Sequence, residues 1–323
     1  MSVDSTVTRV NAGIKRARSG VGVAGPGRTG GRSRPMSKRG STTLVLLVAP
    51  SVLLLALING YPLVYAALQS VRDGTLIAVG SLVGLDNYVS VLTSERFWSS
   101  AGFTIIFTLV GVFGSWAVGL GLALLLHTRV PARGLIKVLL LLPWVVPIVV
   151  SSTAWNWLLA TPDSPIPQLA DALGFGRVLF LADPTLAAIT VCVFKVWISF
   201  PFMMLMSSAA LASVDTTVYE AAEMDGASRW QQFTRMTLPL IARSTYISWI
   251  LMTIFCVNDF PTIYLLTGGG PVDATNSLIV LAYRTVFQDF QTGQGVAIAF
   301  LMTITLVFVS VLLFRQMKKV DTP

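Results

Sequence analysis

AGFTIIFTLVGVFGSWAVGLGLALLL, residues 101–126, contains no Asp, Glu, Lys or Arg. A helix crossing a hydrocarbon layer ~30 Å thick needs about 20 predominantly apolar residues, and this stretch supplies them without interruption. Backbone N–H and C=O groups in lipid have no water to bond, so a spanning segment of this kind must be helical. Five further blocks share its character, near residues 43–69, 136–158, 185–211, 244–266 and 296–314. The chain therefore reads as an all-α integral membrane protein with about six transmembrane helices. Composition agrees: 54% of the 323 residues are hydrophobic and 12% are charged, against about 25% charged in an ordinary soluble domain.

The charged residues sit where they orient the spans. Arg129, Arg133 and Lys137 follow the second block, Arg229, Arg235 and Arg243 follow the fourth, and Arg315, Lys318 and Lys319 follow the last. The opposite loops carry only Arg72, Arg96, Arg177 and Arg284. By the positive-inside rule both termini are expected on the cytoplasmic face of a plasma membrane, as an even number of spans requires. The net charge of +8 thus reports topology, and no nucleic-acid partner is expected. Residues 1–40 are rich in Gly, Ser and Arg, a composition expected to stay disordered as a basic cytoplasmic tail. The layout read from this is a tail at 1–40, a membrane domain at 41–317 and a short cytoplasmic tail at 318–323. The first apolar block exceeds the ~7–15 residues of a signal-peptide core and ends in no small-x-small site, which argues against a cleaved leader. Cys192 and Cys256 lie inside apolar blocks and read as buried thiols. His127 is the single histidine, too little for a zinc site, and no metal is expected. Gly111, Gly114, Gly119 and Gly121 in the second block either let a neighbouring helix approach closely or are simply tolerated.

The most informative loop is YEAAEMDGASRWQQFTRMTLPLIAR, Tyr219 to Arg243, cytoplasmic by the charge argument. Glu220 to Glu223 favours helix, Asp225-Gly226 signals a turn, and Trp230, Phe233 and Met236 recur at spacings of three as one apolar face. Pro239 reads as a further bend. The expectation is a short helix–turn–helix outside the membrane. On physical grounds alone it serves equally as a docking element or as an amphipathic loop on the lipid surface.

Glu220-Ala221-Ala222, Asp225-Gly226-Ala227, Phe233 and Leu238-Pro239 resemble the EAA loop of binding-protein-dependent ABC importer permeases. The resemblance extends over about residues 43–315. It includes Pro50 and Tyr61-Pro62, Leu142-Pro143-Trp144 with Pro147, Trp155-Asn156-Trp157, Trp197 with Pro201-Phe202-Met203, and Ile263 through the run Thr267-Gly268-Gly269-Gly270-Pro271. These strings are similar to the carbohydrate subfamily of maltose and glycerol-phosphate type, and the last to the first, "F-type", permease of a heterodimeric pair. Asp215 and Arg243 stand where that pattern often has proline, and Pro261 where it often has an acid. The resemblance implies a type I ABC importer transmembrane domain. It further implies a coupling loop at 214–243 whose Tyr219, Glu220, Ala221, Ala222, Asp225, Gly226, Ala227, Phe233, Leu238 and Pro239 enter a groove on a separate ATPase. The implied partners are a second permease subunit, two copies of a cytoplasmic ATPase that would hold ATP and Mg, and an extracytoplasmic solute-binding protein, with no cofactor bound by this chain.

Charge at membrane depth is costly, by roughly 2.5–3.5 kcal/mol on insertion scales. Lys195 and Asp259 lie about 12–15 Å deep by helical rise, so they could pair. They read either as a polar wall of a translocation path or as a structural ion pair; Asn156, Trp197 and Asn258 are weaker path candidates. No cluster of acid, base, nucleophile or metal ligand points to an enzyme. An ion-coupled secondary transporter is the alternative function.

Overall fold

The computed structural model describes residues 38–320 apart from Val79 and Arg129. The expected basic tail lies outside these residues, save Lys38 to Gly40, which open the first helix. Among the described residues, those up to Gly60 and those from Tyr61 onward form two compact units, and the boundary falls within α1 (Lys38–Ser70). In the first unit Asn59 donates to the Leu55 carbonyl one helical turn back.

The second unit continues with α2 (Asp86–Thr93), α3 (Glu95–Leu109), a π-helical turn (Val110–Gly114) and α4 (Ser115–His127). Then come α5 (Arg133–Val145), α6 (Ile148–Leu159), α7 (Pro165–Ala172) and α8 (Pro184–Ala212). Next are α9 (Thr216–Met224), α10 (Arg229–Gln232), a second π-helical turn (Phe233–Thr237) and α11 (Leu238–Val257). The chain ends in α12 (Phe260–Thr267), α13 (Leu278–Phe287) and α14 (Thr292–Val320). Among the described residues, five continuous stretches are long and apolar enough to cross a membrane: Leu47–Ser70, Glu95–His127, Pro184–Ala212, Arg229–Val257 and Thr292–Lys319. The bent pair α5 and α6 brings the number to six when it is counted as one broken span.

Three expectations change. The block at 136–158 is not one helix: α5 and α6 meet at 89°. Val146 is extended (φ −68°, ψ 132°), as the residue before a proline is pushed to be, and Pro147 has no N–H to continue the helix. The block at 244–266 also divides. α11 stops at Val257 and α12 restarts at Phe260, with Pro261 in its first turn. Conversely, Pro239 makes no break; it lies within the helical stretch Arg229–Val257, directly after the π-helical turn Phe233–Thr237. The apolar helix α13 was not anticipated, because ten residues are too short for a spanning signal.

α8 is central, and the glycine stripe shows why it can be. A Cβ on Gly119 would lie 2.6 Å from the Met204 backbone nitrogen and 2.8 Å from the Met203 carbonyl carbon. Those distances leave α4 and α8 room only for hydrogen. Gly111 and Gly114 meet Cys256, Lys195 and Val196 side chains in the same way, whereas Gly121 faces open space. Phe107, Val191, Phe194, Met203, Met252 and Ile263 fill the core around this contact. A second cluster, including Val91, Phe97, Leu281 and Ile298, packs α2, α3, α13 and α14 together. Gly268 (φ 63°) closes α12 in the left-handed conformation. The following loop is tied back by Asp273, which accepts from Arg96 of α3 and Arg284 of α13.

Candidate functional site

The loop between α8 and α11 is a helix–turn–helix with each terminus chemically defined. Asp215 caps α9, its carboxylate accepting from the Thr217 N–H at 3.0 Å. That bond to the ionised form pulls the exposed Asp215 carboxyl below its ordinary range. Its φ of −67° is one that proline also adopts. At the far end of α9, Ala227 N–H donates to the Ala222 carbonyl and Gly226 N–H to that of Glu223, at 2.9 and 3.1 Å. This double bond pattern needs a left-handed residue, supplied by Gly226 at φ 76°. Ser228 then opens α10 through a capping box with Gln231.

The expected loop residues gather here with distinct roles. Ala222 is buried, while Glu220, Ala221 and Asp225 are exposed. The Tyr219 hydroxyl lies 3.2 Å from that of Thr237 and pins α9 to the second π-helical turn. Trp230 and Phe233 have ring centroids 5.7 Å apart. Leu238 and Pro239 begin α11 behind them. A cleft of about 420 Å³ runs beside the turn, lined by Ala222, Gly226, Ala227, Arg235 and Met236 among others. Met224 and Trp230 stand 89% and 71% exposed at the tip. Both are apolar side chains exposed beside the turn.

The second site lies at the two helix breaks. A cavity of about 410 Å³ is lined by Trp144, Pro147, Lys195, Ser199, Phe255 and Asp259, among others. Lys195 Nζ donates to Asp259 Oδ2 at 2.6 Å, and both side chains are nearly enclosed. Asp259 is not inside a helix, as depth counting had it; it is the N-cap of α12. Its Oδ1 accepts from Thr262 N–H at 3.0 Å and its Oδ2 from the Thr262 hydroxyl at 2.7 Å. The Lys195 ammonium also lies 5.9 Å from the Phe107 ring centroid. The pair thus joins α8 to the point where the fifth apolar block breaks.

The weaker candidates separate from it. Asn156 donates to the Leu266 carbonyl at 3.2 Å, fastening α6 to the end of α12. Trp197 packs against Trp155 and Phe194, and Asn258 is exposed and bonded to Ile254 of its own helix turn. None of the three is among the residues lining the cavity. The cavity's aromatic wall went unread: Trp144 stacks on Phe202 at 5.3 Å between centroids, and Phe255 meets Phe202 edge-on at 5.9 Å. Apolar blocks hide such rings among their neighbours. The capping box was legible, since Ser228 and Gln231 stand at the S-x-x-Q spacing.

A family model described as binding-protein-dependent transport system inner membrane component matches residues 115–321. The chain is 34% identical to the trehalose/maltose transport system permease protein of Thermococcus litoralis, over 76% of this chain and 84% of that protein. It is 35% identical to the diacetylchitobiose uptake system permease protein of Streptomyces coelicolor, over 89% and 90%. It is 31% identical to the sulfoquinovosyl glycerol transport system permease protein of Agrobacterium fabrum, over 80% and 84%. Its fold matches, with a TM-score of 0.75 at 20% identity, a chain of a bacterial ABC transporter involved in the import of the acidic polysaccharide alginate, covering 87% of this chain and 96% of that one. None of these relatives is named as an ion-coupled carrier.

Proposed function

The chain belongs to the family of binding-protein-dependent transport system inner membrane components, and from that premise we infer a sugar importer driven through the helix–turn–helix at Thr216–Gln232. It is a permease subunit of an ABC importer. The named relatives carry trehalose or maltose, diacetylchitobiose and sulfoquinovosyl glycerol, which supports a saccharide or glycoside as the solute here. The partners are a second permease, two copies of a cytoplasmic ATPase holding ATP and Mg, and an extracytoplasmic solute-binding protein. This chain contributes no catalytic group of its own. Both termini and the α9–α10 loop face the cytoplasm in this reading, which the excess of arginine and lysine in the loops on that side supports.

The observation that carries this reading is the shape of the loop. α9 presents Glu220, Ala221 and the Met224 tip outward, while Ala222 is buried and the Tyr219 hydroxyl meets that of Thr237 at the base of α11. Motion of a bound ATPase would therefore pass into α11, whose far end at Val257 adjoins Asp259 and the cavity. A rigid element that ends at the cavity converts closure of one partner into a change of access.

Gly226 tests the coupling. A Cβ there would meet nothing within 4 Å, so its constraint is the backbone alone, at φ 76°. A β-branched residue is a severe outlier in that region, whereas Asn tolerates it. Gly226→Val is expected to insert normally, lose co-purification with the ATPase and reduce uptake at least tenfold, with Gly226→Asn near wild type. Full ATPase binding and full uptake by Gly226→Val would reject the coupling role.

A further inference from the structure

The cavity at the helix breaks has a charge balance that discriminates between kinds of sugar; this rests on the sugar-import reading above. Among its lining residues the charged ones are Lys195 and Asp259, and they cancel at a separation of 2.6 Å. Lys195 is held on α8 and 5% exposed, with Asp259 6% exposed opposite it. The carboxylate is fixed further by both donors of Thr262. An acidic sugar entering here would meet an ammonium already engaged and would bring its own anion beside the Asp259 carboxylate. Like charges that close are disfavoured, and a buried ion that loses its partner is strongly so.

The rest of the wall suits an uncharged ring. Trp144 and Phe255 are 43% and 45% exposed, so flat aromatic surface is reachable from the cavity that they line. Phe202 holds Trp144 in place by stacking. Sugar C–H faces pack on such rings, while hydroxyls can donate to Asp259 or accept from Lys195 without displacing either. We propose that this cavity selects neutral saccharides over saccharides bearing an acid group, and that Asp259 is the residue that sets the selection. The cavity would thereby differ in substrate class from a permease that accepts a sulfonated or uronic solute, although the fold is shared.

The test uses the assembled transporter in vesicles with its own binding protein. Trehalose, maltose and diacetylchitobiose are each paired with the counterpart in which one primary hydroxymethyl group is oxidised to a carboxylate. Uptake of a neutral member at least tenfold faster than its acid counterpart is expected; equal or faster uptake of the acid overturns the inference while leaving sugar import standing. Transport of another solute class and of no saccharide would instead remove the sugar reading, and this inference with it. Asp259→Asn leaves the Lys195 ammonium unpaired and should shift the acid-to-neutral ratio at least tenfold toward the acid. The binding protein is the same in both measurements, so a change in ratio reports the permease. A purely structural pair would lower both rates together, and an unchanged ratio would overturn the role of Asp259. Lys195→Met keeps the test available if Asp259→Asn does not accumulate: its unpaired carboxylate should deepen discrimination against the acid, and no change in ratio would again refute the role.

Discussion

Cutting the Lys195–Asp259 pair from one side should be far worse than removing it whole. The pair is nearly dry, with side chains 7% and 6% exposed, and loss of one partner from such a pair costs about 3–5 kcal/mol because a buried charge is stranded. The two sides are unequal. Lys195→Met leaves Asp259 with two Thr262 donors, which offsets part of the loss and places the cost near ~3 kcal/mol. Asp259→Leu strands an ammonium and also removes the N-cap of α12, adding ~1 kcal/mol. Asp259→Ser keeps a capping oxygen, so Lys195→Met with Asp259→Ser should fall within ~1 kcal/mol of wild type, since a neutral replacement of a buried pair is often tolerated. Asp259→Ser alone strands the ammonium at a cost of about 3–5 kcal/mol, so the cycle of wild type, the two single variants and the double variant yields a coupling of about 5 kcal/mol or more, above the roughly 0.5–3 kcal/mol usual for contacting residues. Unfolding of the purified chain in mixed detergent micelles, followed by tryptophan fluorescence, measures all four proteins under one condition. If the double variant loses the sum of the single losses, the two groups are independent and the ion pair does not organise this part of the bundle.

Two glycines on one helix should separate cleanly. Gly119→Ala forces a Cβ to within 2.6 Å of α8 backbone and should destabilise by about 1–3 kcal/mol, whereas Gly121→Ala, facing open space, should be neutral or gain up to ~1 kcal/mol from helix propensity; equal unfolding midpoints would contradict the close packing of α4 on α8. The Asp215 cap predicts a pH dependence of known sign. Its carboxyl is pulled below the ordinary range by the Thr217 N–H, so the stabilisation is complete above the unfolded carboxylate pKa and disappears as pH falls through the lower folded value. Proteolysis near 214–219 should rise with acidification in the wild type and be high and nearly pH-independent in Asp215→Ala; identical profiles would exclude the cap.

Hydropathy exposed the apolar blocks because it measures the one property that a bilayer imposes on every spanning residue. The turn at Asp225-Gly226 was legible for a local reason, since a left-handed residue between two short helices has few identities available. Lys195 and Asp259 were legible as a pair by depth alone. The geometry around them was not. Window averages do not register a bend of 89° between α5 and α6, and aromatic side chains such as Trp144 and Phe255 look alike in lipid, in a core or on a cavity wall. Asn156 was legible as a polar residue at membrane depth, but not its partner: its amide nitrogen donates to the Leu266 carbonyl, 110 positions away.

Proline alone does not explain where the helices break. Pro143 and Pro201 lie inside α5 and α8, which continue through them, while the chain turns at Pro147 and restarts at Pro261. A break at membrane depth frees N–H and C=O groups, and these must be satisfied by protein or by a water-lined cavity. At the second break Asp259 accepts from the Thr262 N–H, and at the other end of α12 Asn156 reaches the Leu266 carbonyl. At the first, Val146 and Pro147 line the cavity itself. The breaks occur where replacement partners exist, and of those partners Asp259 also lines the cavity. A cavity able to hold a hydroxyl-rich solute and a helix able to stop inside a bilayer thus make the same demand on the chain, and Asp259 meets both.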